Sequence, residues 1–191
     1  MELMEVIRTR RTIRQFQSRP IPRAELEAVL EAACWAPSGF NRQNWRFIVL
    51  AGEEKRRLLA EARIGFIERL GEAQPRLAPS LAALTQAFFE YAEPAPVIIA
   101  IYSDVPLSRD VEAGLSVAAA IQNLLLAAHE RGLGACWNTR GLYVADAINR
   151  FLNVPEDWDL IALIPLGYPA ESPEPLPRLG ERVFWRGLPP A

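Results

Sequence analysis

Two kinds of apolar pattern alternate along the chain and mark out its elements. Phe47-Ile48-Val49-Leu50, Val97 to Tyr102 and Leu160 to Leu166 are short continuous apolar runs, rich in β-branched residues, which predicts buried strands. Ala135-Cys136-Trp137 predicts a shorter strand. Between these runs, apolar residues recur three and four apart, the spacing of one helix face. Leu3, Val6 and Ile7 mark a short helix over 2–9. Leu26, Val29, Leu30 and Ala33 mark a second, entered through Pro22 and ended before Pro37. Glu53 to Leu70 reads as a helix with a charged face. After a break at Gln74 to Pro79, Leu81, Leu84, Phe88 and Tyr91 mark another, stopped by Glu93-Pro94-Ala95-Pro96. Val144 to Leu152 is the last.

The segment from Asp110 to Arg131 is different. It reads as the longest helix and is apolar nearly all round, so it must be buried on most sides. A chain of this size has little interior in which to hide such a helix, which predicts burial against a second copy. Its apolar run, Ala113 to Ala128, is broken by Ser116, Gln122 and Asn123 and falls short of the roughly 20 residues that span a bilayer. Gly132-Leu133-Gly134 then resembles the start of a dinucleotide fingerprint. The third glycine position is Trp137, however, and a helix precedes the segment where the fingerprint needs a strand. A helix end with glycine in the left-handed conformation accounts for it better. Beyond about residue 170 the prolines are too frequent for a core element, which predicts a tail laid over a surface, a partner's among the candidates. Helices alternating with at least three strands place the chain in the α/β or α+β class, in three layers and without repeats.

Composition narrows the function. At 191 residues, half of them hydrophobic and 23% charged, the chain suits one globular domain with a sizeable core. The formal net charge is −2, so any basic cluster is local, and a nucleic-acid partner would need a broader basic face. Cys34 and Cys136 each adjoin a tryptophan in apolar surroundings and read as buried free thiols. No apolar signal core follows Met-Glu-Leu-Met-Glu, and a cytoplasmic, soluble protein is expected. His129 is the sole histidine, which excludes a serine-type triad and argues against a zinc site. Late in the long helix, it reads as a structural or dipole-facing residue.

Two stretches carry candidate chemistry. Arg8-Thr9-Arg10-Arg11-Thr12-Ile13-Arg14 holds four guanidinium groups in seven residues. In an extended segment Arg10, Thr12 and Arg14 point to one side and Arg11 and Ile13 to the other. Forked donors plus a hydroxyl suit a doubly charged phosphate, whereas the plain alternative is a solvated basic stretch. The loop from Ala36 to Trp45 follows a tight Pro37-Ser38-Gly39 turn with Asn41, Gln43 and Asn44. Side-chain amides offer donor and acceptor together, as reading the edge of a planar heterocycle requires. Helix-stop chemistry explains the proline and glycine but not the three amides.

The order of these motifs resembles the nitroreductase family of FMN-dependent, NAD(P)H-using oxidoreductases over essentially the whole chain. It runs Arg10-Arg11-Thr12-Ile13-Arg14, Ala36-Pro37-Ser38 with Asn41, Gln43 and Trp45, then Gln122-Asn123-Leu124 and Gly132 to Trp137, and finally Leu166-Gly167-Tyr168-Pro169 and Arg178. The resemblance implies an α+β, three-layer fold with a central mixed sheet. It also implies a homodimer holding non-covalent FMN in two interface clefts, with a domain over 1–170 and an extension over 171–191 that wraps the partner. Arg10, Arg11 and Thr12 would hold the phosphate and ribityl chain, with Arg178 as a further phosphate ligand and Arg14 near the pyrimidine side of the ring. Pro37, Ser38, Gly39 and Asn41 would cover the cofactor from the other subunit. Trp137, Arg140 and Gly141 would pass the flavin edge, the backbone N–H groups of Arg140 and Gly141 serving N5 and O4. The implied activity moves hydride from NAD(P)H through flavin N5 to a small-molecule acceptor (a nitroaromatic, a quinone or a flavin) by ping-pong kinetics, with no catalytic side chain beyond the charge of Arg14. Alternatives within the fold are a flavin-binding protein without turnover and a flavin-fragmenting or dehalogenating enzyme. The sequence departs from the family pattern at Asn44, where proline is usual, at Leu176, at Arg140, and over 65–95, which has no asparagine and offers Gln86 at best as an amide for the flavin ring.

Overall fold

A computed structural model describes residues 2–73, 78–180 and 182–187. Its elements are α1 (Leu3–Thr9), α2 (Arg23–Cys34), β1 (Trp45–Ala51), α3 (Gly52–Glu72), α4 (Ala78–Ala92), β2 (Val97–Ser103), α5 (Val111–Glu130), β3 (Gly134–Ala135), α6 (Ala145–Leu152) and β4 (Asp159–Gly167). Short 3₁₀ turns cover Gly39–Asn41 and Arg140–Val144. The strands stand in the order β1-β2-β4-β3, each neighbour antiparallel. The one parallel element among the described residues is an isolated bridge from Thr12 to Ala135 at the β3 edge, so the strands themselves form an antiparallel sheet.

Every residue of β2 is buried, because helices cover both of its faces. Val97, Ile99 and Ile101 pack with Val29 and Ala33 of α2 and with Val117, Ile121 and Leu124 of α5. Ile98, Ala100 and Tyr102 pack on the other side with Leu58 and Phe66 of α3, Phe88 of α4 and Ile148 of α6. Each fully buried valine, leucine, isoleucine or phenylalanine among them is worth about 1.5–3 kcal/mol. Three layers follow from this alternation. Ile161 is skipped in the pairing of β4 with β2, a bulge that turns both Ile161 and Ala162 toward α2 and α5.

Several expectations are corrected. β1 is an edge strand rather than a fully buried one, and Val49 is 39% exposed. The helix α3, at 21 residues, is one longer than α5. Pro79 lies in the first turn of α4, where a missing N–H costs little, instead of in the preceding break; 74–77 lie outside the described residues. Cys34 is exposed at the end of α2, and only Cys136 is buried. At 20 residues α5 is long and apolar enough to cross a membrane by length and composition, contrary to the reading that its apolar run is too short. It is instead a core helix, started by Asp110, whose carboxylate accepts from Glu112 N at 2.9 Å. Ala113, Val117, Ile121 and Leu124 face the sheet, while Val111 and Leu115 on its other side are 76% and 67% exposed.

Asn44 explains itself once the fold is known. It is buried, and its amide donates to Ser103 Oγ at 2.8 Å and Ala113 O at 3.1 Å, tying the loop to β2 and α5. A proline ring could fill the space but not make those bonds.

The close approach of residue 13 to β3 depends on glycine. A Cβ at Gly134 would lie 2.6 Å from Ile13 Cγ1 and 2.7 Å from its Cβ. Gly134→Ala should therefore destabilise the fold by about 1–3 kcal/mol through overpacking. Gly71→Ala, in α3 with nothing within 4 Å, should not. Denaturant midpoints of the two variants check this; an unaffected Gly134→Ala would mean that Ile13 has room to move.

Candidate functional site

After α1 the chain turns along the sheet edge. Ile13 N donates to Ala135 O at 3.0 Å, Gln17 N to Tyr168 O at 2.9 Å, and Ala170 N to Gln15 O at 2.9 Å. Residues 12–17 are thus held between β3 and the segment that leaves β4. This fixes the arginines on a rigid backbone. Arg10, Thr12 and Arg14 line one cleft of about 600 Å³ together with Arg11, Glu174 and Arg178. Arg178 thus arrives from the C-terminal segment at the arginine stretch. The guanidinium of Arg10 is pushed below its ordinary pKa first by burial and then by Arg178 and Arg11. The cleft therefore concentrates positive charge that an anion would relieve.

The individual arginines differ. Arg11 Nη1 donates to Arg8 O at 2.8 Å and Arg10 O at 2.9 Å, closing the end of α1, while its Nε is buried without a partner. Arg14 and Gln15 both donate their backbone N–H to Glu171 Oε1, the latter at 3.0 Å. The Arg14 guanidinium lies 5.0 Å from the Tyr91 ring centroid, and that of Arg140 lies 5.2 Å from the same centroid.

Arg140 belongs to the second predicted segment, which leaves β3 through Trp137. Asn138 is fully buried and exchanges backbone hydrogen bonds with Leu163 at 3.1 and 2.9 Å. Its Oδ1 accepts from Arg140 N at 2.9 Å, so that N–H, expected to serve the flavin, already has a partner within the chain. Gly141 packs so tightly that a Cβ would lie 2.7 Å from Leu163 Cδ1. The thiol of Cys136 is pushed up by burial, against the opposing pull of Arg14 and Arg140. These side chains share one neighbourhood.

Three buried side-chain atoms lack a hydrogen-bond partner among the described residues: Arg11 Nε, Asn138 Nδ2 and Arg140 Nε. All are donors, and all lie in the two segments just described. Buried polar groups without partners are costly, roughly 1–3 kcal/mol each, and here the cost falls on the two segments that carry the candidate site residues.

Pro37, Ser38, Gly39 and Asn41 are not brought to this cleft. Gly39 N donates to Ser116 Oγ at 3.3 Å and Arg42 pairs with Asp110, which fixes the loop at the N-terminal half of α5. The arginine stretch meets the other end, where Thr9 Oγ1 and His129 Nε2 are 2.8 Å apart. Ser116 and His129 are separated by about 20 Å along the helix. Within the loop Phe40, Asn41 and Gln43 all have positive φ, at 53°, 54° and 50°. Asparagine tolerates that conformation, whereas phenylalanine and glutamine adopt it at a cost of order 1 kcal/mol or more. Gln43 and Asn41 bond each other at 3.0 Å on the surface, and Gln86 bonds Glu90 at 2.7 Å on its own helix. Tyr91, Asn138 and Glu171 were not singled out from the sequence. A polar residue interrupting the apolar run after Ala135 was the available signal for Asn138; Glu171, more than 150 positions from Arg14, offered none.

A profile of the Nitroreductase family matches residues 7–168. The chain belongs to the nitroreductase family. A Methanothermobacter thermautotrophicus protein, whose own provisional name is NADH dehydrogenase/NAD(P)H nitroreductase, is 33% identical over 91% of this chain and 80% of its own length. A Thermotoga neapolitana relative named iodotyrosine deiodinase is 29% identical over 92% and 93% of the two chains. A Desulfovibrio desulfuricans crystal structure in complex with FMN has 27% identity and a TM-score of 0.73, over 96% of this chain and 98% of that one. The three-layer architecture is thus the nitroreductase fold.

His129 lies behind the arginines, its pKa lowered below 6.5 first by burial and then by Arg10 and Arg11. As pH falls, the unfolded chain takes up this proton before the folded one does. The contribution is therefore present above about pH 6.5 and lost below it. Thermal midpoints should drop more steeply between about pH 7 and pH 5 in the natural chain than in His129→Gln; parallel profiles would contradict this.

Proposed function

We propose that this nitroreductase-family chain is an FMN-dependent oxidoreductase that draws electrons from NAD(P)H and passes them to a small organic acceptor. The observation that carries the reading is the meeting of Arg178 with Arg10, Thr12 and Arg14 in one cleft, which Arg11 also lines. Bound there, FMN supplies hydride uptake at N5 and release of the electrons to the acceptor. Arg10, Arg178 and the Thr12 hydroxyl bind its phosphate, with the ribityl chain beside them. Arg11 Nε adds a donor from behind, while Arg11 Nη1 holds the end of α1. Arg14 places positive charge on the pyrimidine side, where negative charge collects on reduction. Trp137, Arg140 and Gly141 border the ring, with Asn138 Nδ2 as a further donor.

A second copy completes the site in this reading. Leu3, Met4, Trp35, Phe40, Val111 and Leu115 expose large apolar side chains along α1, the loop and α5. Exposed apolar surface on this scale marks an interface. If two α5 helices pair antiparallel, the Pro37, Ser38, Gly39 and Asn41 end of one chain meets the arginine end of the other. The tail over 171–191, exposed at Leu176, Leu179, Phe184 and Trp185, wraps the partner. A cytoplasmic location, with no membrane or nucleic-acid partner, completes the proposal.

Each charged hydrogen bond is worth about 1.5–3 kcal/mol, so Arg10→Ala and Arg178→Ala should each weaken FMN binding roughly ten- to hundredfold. Equilibrium titration of the stripped protein measures this, and unchanged affinity in both variants would remove the phosphate assignment. The purified protein should be yellow, with about one flavin per subunit, and anaerobic NAD(P)H should bleach it. Reoxidation by a panel of a nitroaromatic, a quinone, free flavin and a halophenol then ranks the acceptors. The halophenol is included because one relative is named as a deiodinase. Yellow protein that neither NADH nor NADPH bleaches would favour the flavin-binding reading without turnover.

A further inference from the structure

The flavin reading leaves one arrangement unexplained. Tyr91, half-buried on α4, has two guanidinium groups over its ring, from Arg14 at 5.0 Å and from Arg140 at 5.2 Å. The two charges therefore lie within about 10 Å of each other, comparable to the ~8 Å over which salt screens at physiological strength. Among the described residues neither takes part in an ion pair, although Arg23, Arg42, Arg46, Arg56, Arg57 and Arg63 all do. Glu171 is the nearby carboxylate, and it is occupied by the backbone N–H groups of Arg14 and Gln15. Arg140 further keeps a buried Nε without a partner.

A phosphate dianion can be matched by Arg10 and Arg178 alone, and the flavin ring by Arg14. Arg140, which borders the ring through its backbone segment, then remains among the described residues a guanidinium without a carboxylate partner, held beside an aromatic ring. Arginine presents a flat fork matched to a carboxylate, and a tyrosine whose face is held by guanidinium groups still has a ring edge that can meet another ring edge to face. We infer that Tyr91 and Arg140 form a substrate subsite selecting an aromatic acceptor that carries a negative charge, a carboxylate or a phenolate, over its neutral counterpart. The inference rests on the flavin reading in that it places the acceptor beside the Arg140 edge of the cofactor. The residues themselves set the preference: Arg140 reads the charge and Tyr91 the ring.

Benzoate and benzamide, which are nearly isosteric and are not reduced, are the probes. They are titrated into protein saturated with FMN, so that Arg10 and Arg178 are already occupied, with binding followed by calorimetry and by the flavin absorbance. Benzoate should bind at least about tenfold tighter than benzamide, and the advantage should shrink with added salt. Arg140→Gln should bring the two affinities together. Tyr91→Leu, which leaves both charges in place, should weaken both probes at least about fivefold, the loss of an aromatic partner. Equal affinities in the natural protein, a preference that survives Arg140→Gln, or unchanged binding of both probes to Tyr91→Leu would each overturn the inference. The Tyr91 variant keeps the test decisive if Arg140→Gln does not fold. Binding of benzoate needs no turnover. Protein that prefers benzoate but is not bleached by NAD(P)H therefore keeps this inference and sinks the oxidoreductase reading; the reverse pattern sinks only this inference.

Discussion

Ile13 sits directly over Gly134, with no room for even one methyl group between them, and its backbone N–H reaches Ala135 O. That seat holds residues 12–17 against the sheet edge, and the site hangs from it. With the backbone fixed at Ile13, Thr12 and Arg14 are set on either side, Arg11 folds back on the end of α1, and Arg10 faces Arg178. Cations repel, so a stretch of four arginines would spread into solvent if left alone. Backbone hydrogen bonds and a buried isoleucine hold them close enough for burial and mutual repulsion to depress Arg10.

The two layers of helices serve this seat in different ways. On one side α5 runs the length of the sheet and meets the arginine stretch at His129 and the Pro37–Asn41 loop at Ser116. It is the ruler that separates the Pro37–Asn41 loop from the arginine stretch within one chain. On the other side α4 brings Tyr91 under Arg14 and Arg140, while Phe89 of the same helix packs edge to face with Phe66 and Phe88. Rigid packing below an exposed edge lets a helix end carry recognition without moving.

Much of this was legible in the sequence, and what was not has physical reasons. The β2 and β4 runs read correctly because burial on both faces leaves no polar position to confuse the pattern. β1 reads the same way and yet is an edge strand, because the same apolar residues serve equally for one covered face and a partly covered one. The arginine stretch and Arg178 were visible as motifs. That Arg11 would close the end of α1, and that Asn138 would accept from Arg140 N, depended on a fold that motifs do not record. Cys34 and Cys136 share the same tryptophan neighbour pattern and end up exposed and buried, since one is the last residue of α2 and the other directly follows β3 at the sheet edge.

The loop after α2 shows what such a fold asks of its sequence. At Phe40 the backbone is left-handed, a position where glycine is at ease and a large aromatic is not, and the ring there is 89% exposed. Replacing Phe40 with glycine would relax the lone chain and remove a large apolar surface from solvent. The chain keeps the more strained residue. In the dimer proposed above, stability of the single chain and fitness for assembly would pull in opposite directions at that one position, so sequences improved only for monomer stability would erode the apolar surface that the proposal gives to a second chain.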